Sequence, residues 1–386
     1  MNTIVFGDAL KGLALLESNS VDTCVTSPPY YGLRDYGTNG QIGLESTPAE
    51  YIQRLVNVFS EVRRVLKVDG TLWIVIGDSY AGSGKGAATH ADNAKIYKQG
   101  TNRGMLGAST TTKIKTPGIK AKDLIGIPWM LAFALRADGW YLRQDIIWQK
   151  PNPMPESVKD RCTKSHEYIF LLSKSPRYYF DAAAIAEPIA SSTEKRLAQN
   201  IESQEGSSRA IGKSNGAMKA CAPRYGGHKY TATPGVFYRT KSGNLYTPHV
   251  RRNKRDVWSV STKGFKGAHF ATFPDALILP CVLAGSKVDG TVLDPFCGSG
   301  TTLQVAVQNG RNGIGIEINA EYEPLIKARI GEYKRMEVKN EPPAVVHCAD
   351  CKHLMFSDMY GECAQAHRGI VRPDDFCSHG ERRDTK

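Results

Sequence analysis

The chain has 386 residues, 41% of them hydrophobic and 9% aromatic, and carries a formal charge of +12. No apolar run reaches the roughly 20 residues that span a bilayer, and the opening MNTIVFGDALKG has neither the basic start nor the long apolar stretch of a secretory signal. These features fit a soluble, cytoplasmic globular protein and leave no place for a membrane-embedded one.

In chain order, Ile4–Phe6 and Asp22–Val25 read as short buried strands around a helical stretch at Ala9–Leu16. The second strand runs into Val25-Thr26-Ser27-Pro28-Pro29-Tyr30-Tyr31-Gly32. Proline donates no hydrogen bond and biases its predecessor to extended geometry, so a stiff turn ends the strand here. Thr47-Pro48-Ala49-Glu50 is a capping box with proline at the first helical position. Ile52, Leu55, Phe59, Val62 and Leu66 then repeat at helical spacing. Asp69-Gly70 is expected to stop that helix, and Thr71–Ile76 reads as a fully buried strand. The strand–helix–strand grammar predicts an α/β fold with a parallel sheet.

Ala81 to Lys122 holds eight basic residues against Asp92 and few large apolar ones, and it is expected to be a mobile basic loop. Gly82-Ser83-Gly84-Lys85-Gly86 fails the phosphate-loop pattern, because Ser79 replaces its first glycine and Gly86 its final hydroxyl residue. Regular structure resumes at Ile127–Leu135, followed by strands at Tyr141–Trp148 and Glu167–Leu172. From Ala182 to Trp258 the chain turns polar and basic. Between Ser207 and Lys266 thirteen Lys or Arg face one acid, Asp256. Two basic loops would be the plain reading, but charge this concentrated favours a polyanion, nucleic acid first.

Thr291-Val292-Leu293-Asp294-Pro295-Phe296-Cys297-Gly298-Ser299-Gly300-Thr301-Thr302 is a strand entering a glycine turn from which a helix leaves. Glycines let the backbone approach a ligand at a helix N-terminus. The next strand, Gly313–Ile318, carries Glu317, 19 residues beyond Gly298. That is near the spacing at which an acid meets the ribose of a bound nucleoside, so loop, strand and acid together predict an adenosine-type cofactor. Leu303 stands where a dehydrogenase loop would have its third glycine.

DPFCGSGTT resembles the S-adenosylmethionine-binding loop of the DNA amino-methyltransferases, and TSPPY resembles their catalytic motif. With the catalytic motif first and the cofactor loop last, the chain is similar to the permuted, or beta, class over roughly residues 1–336. The resemblance implies a Rossmann-like methyltransferase sheet. It places Asp294, Phe296, Gly298, Ser299, Gly300, Thr301 and Thr302 around the methionine and ribose of the cofactor, Glu317 on the ribose hydroxyls, Asp8 at the adenine, and Phe273 and Pro274 at the methionine end. It divides the chain into a catalytic part (1–181), a target-recognition region (182–260), a cofactor-binding part (261–340) and a cysteine-rich tail (341–386). Double-stranded DNA is then the expected partner, met by Lys85, Arg224, Arg239, Arg251, Arg252, Lys254 and Arg255. A cognate restriction endonuclease is the expected companion, and oligomeric state is left open.

The chemistry explains the octapeptide. An exocyclic base amine is a poor nucleophile because its lone pair is delocalised into the ring. It must be flipped from the duplex, held by acceptors, and aligned with the sulfonium methyl. Ser27 and the Pro28 carbonyl would accept the amine hydrogens, Pro29 would stiffen the turn, Tyr30 would stack on the base, and Tyr31 and Gly32 would shape the rim. In this family aspartate before the prolines goes with adenine N6 and serine with cytosine N4. Ser27 therefore points to cytosine N4, with adenine N6 and a non-catalytic DNA-binding protein as alternatives. Cytosine C5 chemistry lacks its Pro-Cys motif, and Cys24 is expected inside a strand.

The tail carries Cys348, Cys351, Cys363 and Cys377, a Cys-x2-Cys pair and two wider cysteines. Four thiolates are the ligand set of a structural zinc site, against the plainer reading of free thiols on a tail.

Overall fold

The apolar strands of the first half and of the last third assemble into a single sheet. The computed structural model describes residues 2–33, 38, 40–82, 118–190, 251–262 and 273–338 in full, and only the backbone of short strands at 238–239, 245–246, 354–357, 360–363 and 370–371. In chain order come β1 (Thr3–Phe6), α1 (Ala9–Ala14), β2 (Val21–Thr26), α2 (Pro48–Val65), β3 (Leu66–Ile76), α3 (Ile127–Ala137), β4 (Tyr141–Gln149) and β5 (His166–Ser173). In the predicted target-recognition region, β6 (Glu187–Pro188) pairs with β9 (Arg251–Arg252), and β7 (Tyr238–Arg239) pairs with β8 (Leu245–Tyr246). Then follow β10 (Val257–Ser259), α4 (Asp275–Gly285), β11 (Thr291–Asp294), α5 (Thr301–Gln308), β12 (Asn312–Glu317), α6 (Glu323–Ile330) and β13 (Lys334–Glu337).

The sheet order is β10-β4-β5-β3-β2-β11-β12-β1-β13. Neighbours run parallel except at β5, which is antiparallel to both β3 and β4. The sheet is thus α/β and mostly parallel, as the grammar predicted. Its central strands are near-continuous apolar runs because helices cover both faces. Leu72 to Ile76 on β3 are buried without interruption. The capping box forms at the start of α2: Thr47 Oγ1 accepts from the Glu50 N–H, and the Glu50 carboxylate accepts from the Thr47 N–H. Below it Ile52, Leu55, Phe59 and Val62 turn into the core.

One boundary differs from expectation. The helix ends at Val65, and Leu66 opens β3 opposite Val21, so Asp69-Gly70 lies inside the strand rather than stopping a helix. Leu66 is buried either way, and an ion pair from Lys67 to Asp22 at 2.9 Å fixes the extended start. A register shift between Val21 and Thr23 absorbs the extra residues. The end of the region expected to recognise the target, 182–260, includes a strand of the main sheet. Val257–Ser259 forms the edge strand of the main sheet beside Ile147–Gln149, with Trp258 buried, because that indole covers apolar surface of the sheet.

Of the basic loop, residues 83–117 lie outside the described residues. Its base is closed by a bridge from Tyr80 to Leu124 and a bond from the Ala81 N–H to the Asp123 carbonyl. Met1–Glu337 forms one unit and Val338–Lys386 a second, near the predicted tail boundary. The second unit contains an antiparallel sheet of β14 (Leu354–Ser357), β15 (Tyr360–Cys363) and β16 (Ile370–Val371). No described helix is long and apolar enough to cross a membrane.

Candidate active site

In open α/β sheets ligands bind beyond the carboxyl ends of the strands. Here β2 and β11 are parallel neighbours although hundreds of residues separate them, so the Ser27 turn and the glycine loop emerge side by side. A cavity of about 380 Å³ opens there. Asp8, Ser27, Pro28, Pro29, Tyr30, Phe273, Asp294, Phe296, Gly298, Ser299, Thr301 and Glu317 all line it. Pro274, Gly300 and Thr302 do not. Pro274 caps α4, Gly300 caps α5, and Thr302 points into the core.

Asp294 joins the two motifs. Its Oδ1 accepts from Thr26 Oγ1 at 2.6 Å and from the Phe296 N–H at 3.1 Å, and its Oδ2 accepts from Thr302 Oγ1 at 2.6 Å. Burial pushes this carboxyl up to about 6, against the pull of those donors. Both oxygens are therefore engaged by protein, and the residue expected at the cofactor fastens the end of β2 to the end of β11. Thr26 opens the TSPPY motif, but the sequence assigns it no role of its own.

The glycine loop takes conformations that side chains resist, with φ of 53° at Gly298 and 83° at Gly300. This aims the Gly298 N–H at Glu317 Oε2, 2.7 Å away, while Oε1 accepts from the Asn319 N–H at 2.9 Å. Burial raises the Glu317 carboxyl to about 7. A buried carboxylate thus stands at the end of β12, on the cavity wall, beside a loop without side-chain bulk. At the rim, Asp8 caps α1 through the Lys11 N–H.

The opposite wall is the proline turn. Tyr51 Oη donates to the Pro29 carbonyl at 2.7 Å and so anchors the turn from α2. Among the described residues no donor is directed at the Pro28 carbonyl. Tyr30 Oη donates to Glu167 Oε2 at 2.7 Å, and Lys150 pairs with the other Glu167 oxygen. Burial, then the Glu167 charge, pushes the Tyr30 phenol well above its ordinary range. Tyr31 does not shape the rim; it is buried against the Tyr51 ring at 5.4 Å. Cys24 lies buried in β2, as expected, and burial raises its thiol.

Trp148, Lys150 and Glu167 also line the cavity, and sequence reading missed them. The two charged ones stand at strand ends, Lys150 just past β4 and Glu167 near the start of β5, and meet across an antiparallel pair.

The described basic residues are partly neutralised. Arg252, Lys254 and Arg255 converge on Glu187 at 3.4, 3.6 and 3.2 Å, so three cations share one carboxylate. Arg251 lies beside them in β9. Arg239 is placed by backbone alone, and Lys85 and Arg224 lie outside the described residues. So do Cys348, Cys351 and Cys377, while Cys363 is placed by backbone in β15. Among the described residues no group of His, Cys, Asp and Glu is arranged to hold a metal, and the zinc reading rests on cysteine spacing alone.

The sheet is a Rossmann-like one of the kind found in methyltransferases. The PvuII DNA methyltransferase (cytosine-N4-specific) superposes with a TM-score of 0.52 at 16% identity, over 86% of this chain and 87% of that one. A family model for DNA methylases of the N6 and N4 type matches residues 21–328. The chain is 43% identical to the Type II methyltransferase M.Cfr9I of Citrobacter freundii, over 85% of this chain and 87% of that protein. It is 44% identical to M.SmaI of Serratia marcescens, over 85% and 90%. The chain belongs to the N6/N4 DNA methylase family, and it is a DNA methyltransferase.

Proposed function

We propose that this protein transfers a methyl group from S-adenosylmethionine to the N4 amine of a cytosine flipped out of a specific duplex-DNA site. The observation that carries the reading is the shared cavity: Ser27 and Pro28 face it from one side, Glu317 and the glycine loop from the other. The residues fit the cofactor. A buried carboxylate suits two ribose hydroxyls, the loop admits a close backbone approach, and Phe273 and Phe296 supply apolar wall. When bound, the cofactor supplies an electrophilic methyl on a sulfonium.

The protein's own part is positioning. Tyr30 stacks on the extruded base, a contact worth about 1–3 kcal/mol. Ser27 Oγ and the Pro28 carbonyl accept the amine hydrogens and turn the nitrogen lone pair toward the methyl. A neutral hydroxyl at position 27, where the adenine-type motif has a carboxylate, supports cytosine over adenine. Motif order along the chain, TSPPY before the glycine loop, supports the permuted class. The basic residues around β9, with those further along the insertion, are proposed to meet the DNA backbone. Kinship with Type II methyltransferases supports pairing with a restriction endonuclease.

The test is substitution of the proline turn. Ser27→Ala and Tyr30→Ala should lose methyl transfer from labelled cofactor to DNA while still binding the cofactor at equilibrium. Full activity in either variant contradicts the assignment.

A further inference from the structure

Tyr30 is expected to hold a flipped base, yet a tyrosine on a turn has freedom to swing. Its ring is held at the hydroxyl and seated against a glycine. Its hydroxyl donates to Glu167 at 2.7 Å. Glu167 is in turn held by Lys150, whose ammonium lies 4.4 Å from the centre of the Trp148 ring. Gly77, just beyond the end of β3, forms the back of the seat. A Cβ there would stand 2.8 Å from Tyr30 Cε2 and 3.2 Å from the Glu167 carboxyl carbon. Real side chains do not tolerate the first contact, so the glycine makes room for this pair.

Four strands thus lead into one clamp: the turn after β2 carries Tyr30, Gly77 follows β3, Trp148 lies in β4 with Lys150 just past its end, and Glu167 lies in β5. Tyr30, Trp148, Lys150 and Glu167 all border the cavity. Glu167 and Lys150 are mostly buried, so their pairing is screened less than a surface ion pair and holds a defined geometry. A tyrosine needing only to fill space would not require a buried, cation-paired carboxylate on its hydroxyl.

We infer that Glu167, braced by Lys150, is a positioning residue for methyl transfer: it sets the plane of the Tyr30 ring on which the target base stacks. It acts through the Tyr30 hydroxyl and not on the reacting atoms. The inference rests on the base-pocket reading above. It also assigns the Tyr30 hydroxyl a role separate from that of the ring. Misplacing the base by a fraction of an ångström against the methyl lowers the rate while leaving the cofactor's own contacts intact.

The test uses the full chain, S-adenosylmethionine and unmethylated plasmid DNA, with kcat, KM for DNA, cofactor Kd and Tm measured for each variant. Tyr30→Phe keeps the ring and removes only the hydroxyl. It should lower kcat about 10- to 100-fold with cofactor Kd and Tm near wild type. Glu167→Ala should lower kcat in the same way with cofactor Kd near wild type, at a cost in Tm because it leaves the Lys150 ammonium unpaired, and the double variant should lose no more kcat than Tyr30→Phe alone, because Glu167 acts through the Tyr30 hydroxyl. Losses that multiply in the double variant overturn the inference. So does wild-type kcat in Tyr30→Phe. If Glu167→Ala fails to fold, Tyr30→Phe alone decides. Ser27→Ala run in parallel separates the failures. An inactive Ser27→Ala beside a fully active Tyr30→Phe overturns the clamp alone, whereas an active Ser27→Ala overturns the base pocket and the clamp with it.

Discussion

Glu317 and Asp294 are carboxyls kept away from water, and burial shapes what each does. Raised to about 7 and about 6, both bind a proton more tightly in the folded protein than in the unfolded chain. The stability they confer is therefore complete below their unfolded values near 4 and is lost as pH rises through about 6 and about 7. In the cofactor-free protein, Glu317→Gln should remove the part of this decline that runs from near 4 up to about 7, which thermal unfolding across about pH 4–8 will show. Cofactor affinity should move the opposite way. If the ribose hydroxyls donate to the charged carboxylate as proposed, binding should tighten as pH rises through about 7 and stay flat in Glu317→Gln, read by calorimetry. Asp294→Ala should cost about 2–4 kcal/mol in denaturant unfolding, because it strands the Thr26 and Thr302 hydroxyls in the core. Glu317 and Ser27 were readable from sequence because their motifs are local. Glu167 was not: its partners at 30, 77 and 150 come together only through the pairing of β3, β4 and β5.

At the scale of elements, local signals performed as their physics allows. The capping box at Thr47 marked the start of α2 because it is written in four consecutive residues. Thr47→Ala should lower stability by about 1 kcal/mol with little change in cofactor affinity, since α2 reaches the site through Tyr51 and Phe59, further along the helix. The end of α2 was misplaced for a physical reason. Leu66 continues the helical repeat and also suits a strand facing the core, and its pairing with Val21 decides the matter. Such a residue satisfies both periods, and only the partner strand breaks the tie. The edge strand β10 hid for a related reason. Three residues in a polar, basic region carry no period, and Trp258 is the one apolar anchor.

For the whole molecule, the decisive fact is that β2 and β11 are neighbours. The sequence separates the TSPPY turn from the glycine loop by most of the chain, and the sheet brings them to one cavity. The sharing of Glu187 among Arg252, Lys254 and Arg255 tempers the basic reading of this region. Arg255→Ala, at the most exposed of the three, should weaken DNA binding across sequences and reduce the slope of log affinity against log salt by about 1 or less. An unchanged slope would remove Arg255 from the DNA surface. The proposed choice of cytosine over adenine rests on serine at position 27. The most direct test is nucleoside mass spectrometry of unmethylated DNA treated with the full chain and S-adenosylmethionine. The account predicts N4-methyldeoxycytidine, absent with Ser27→Ala. N6-methyldeoxyadenosine in its place, or no methylated nucleoside at all, would contradict it.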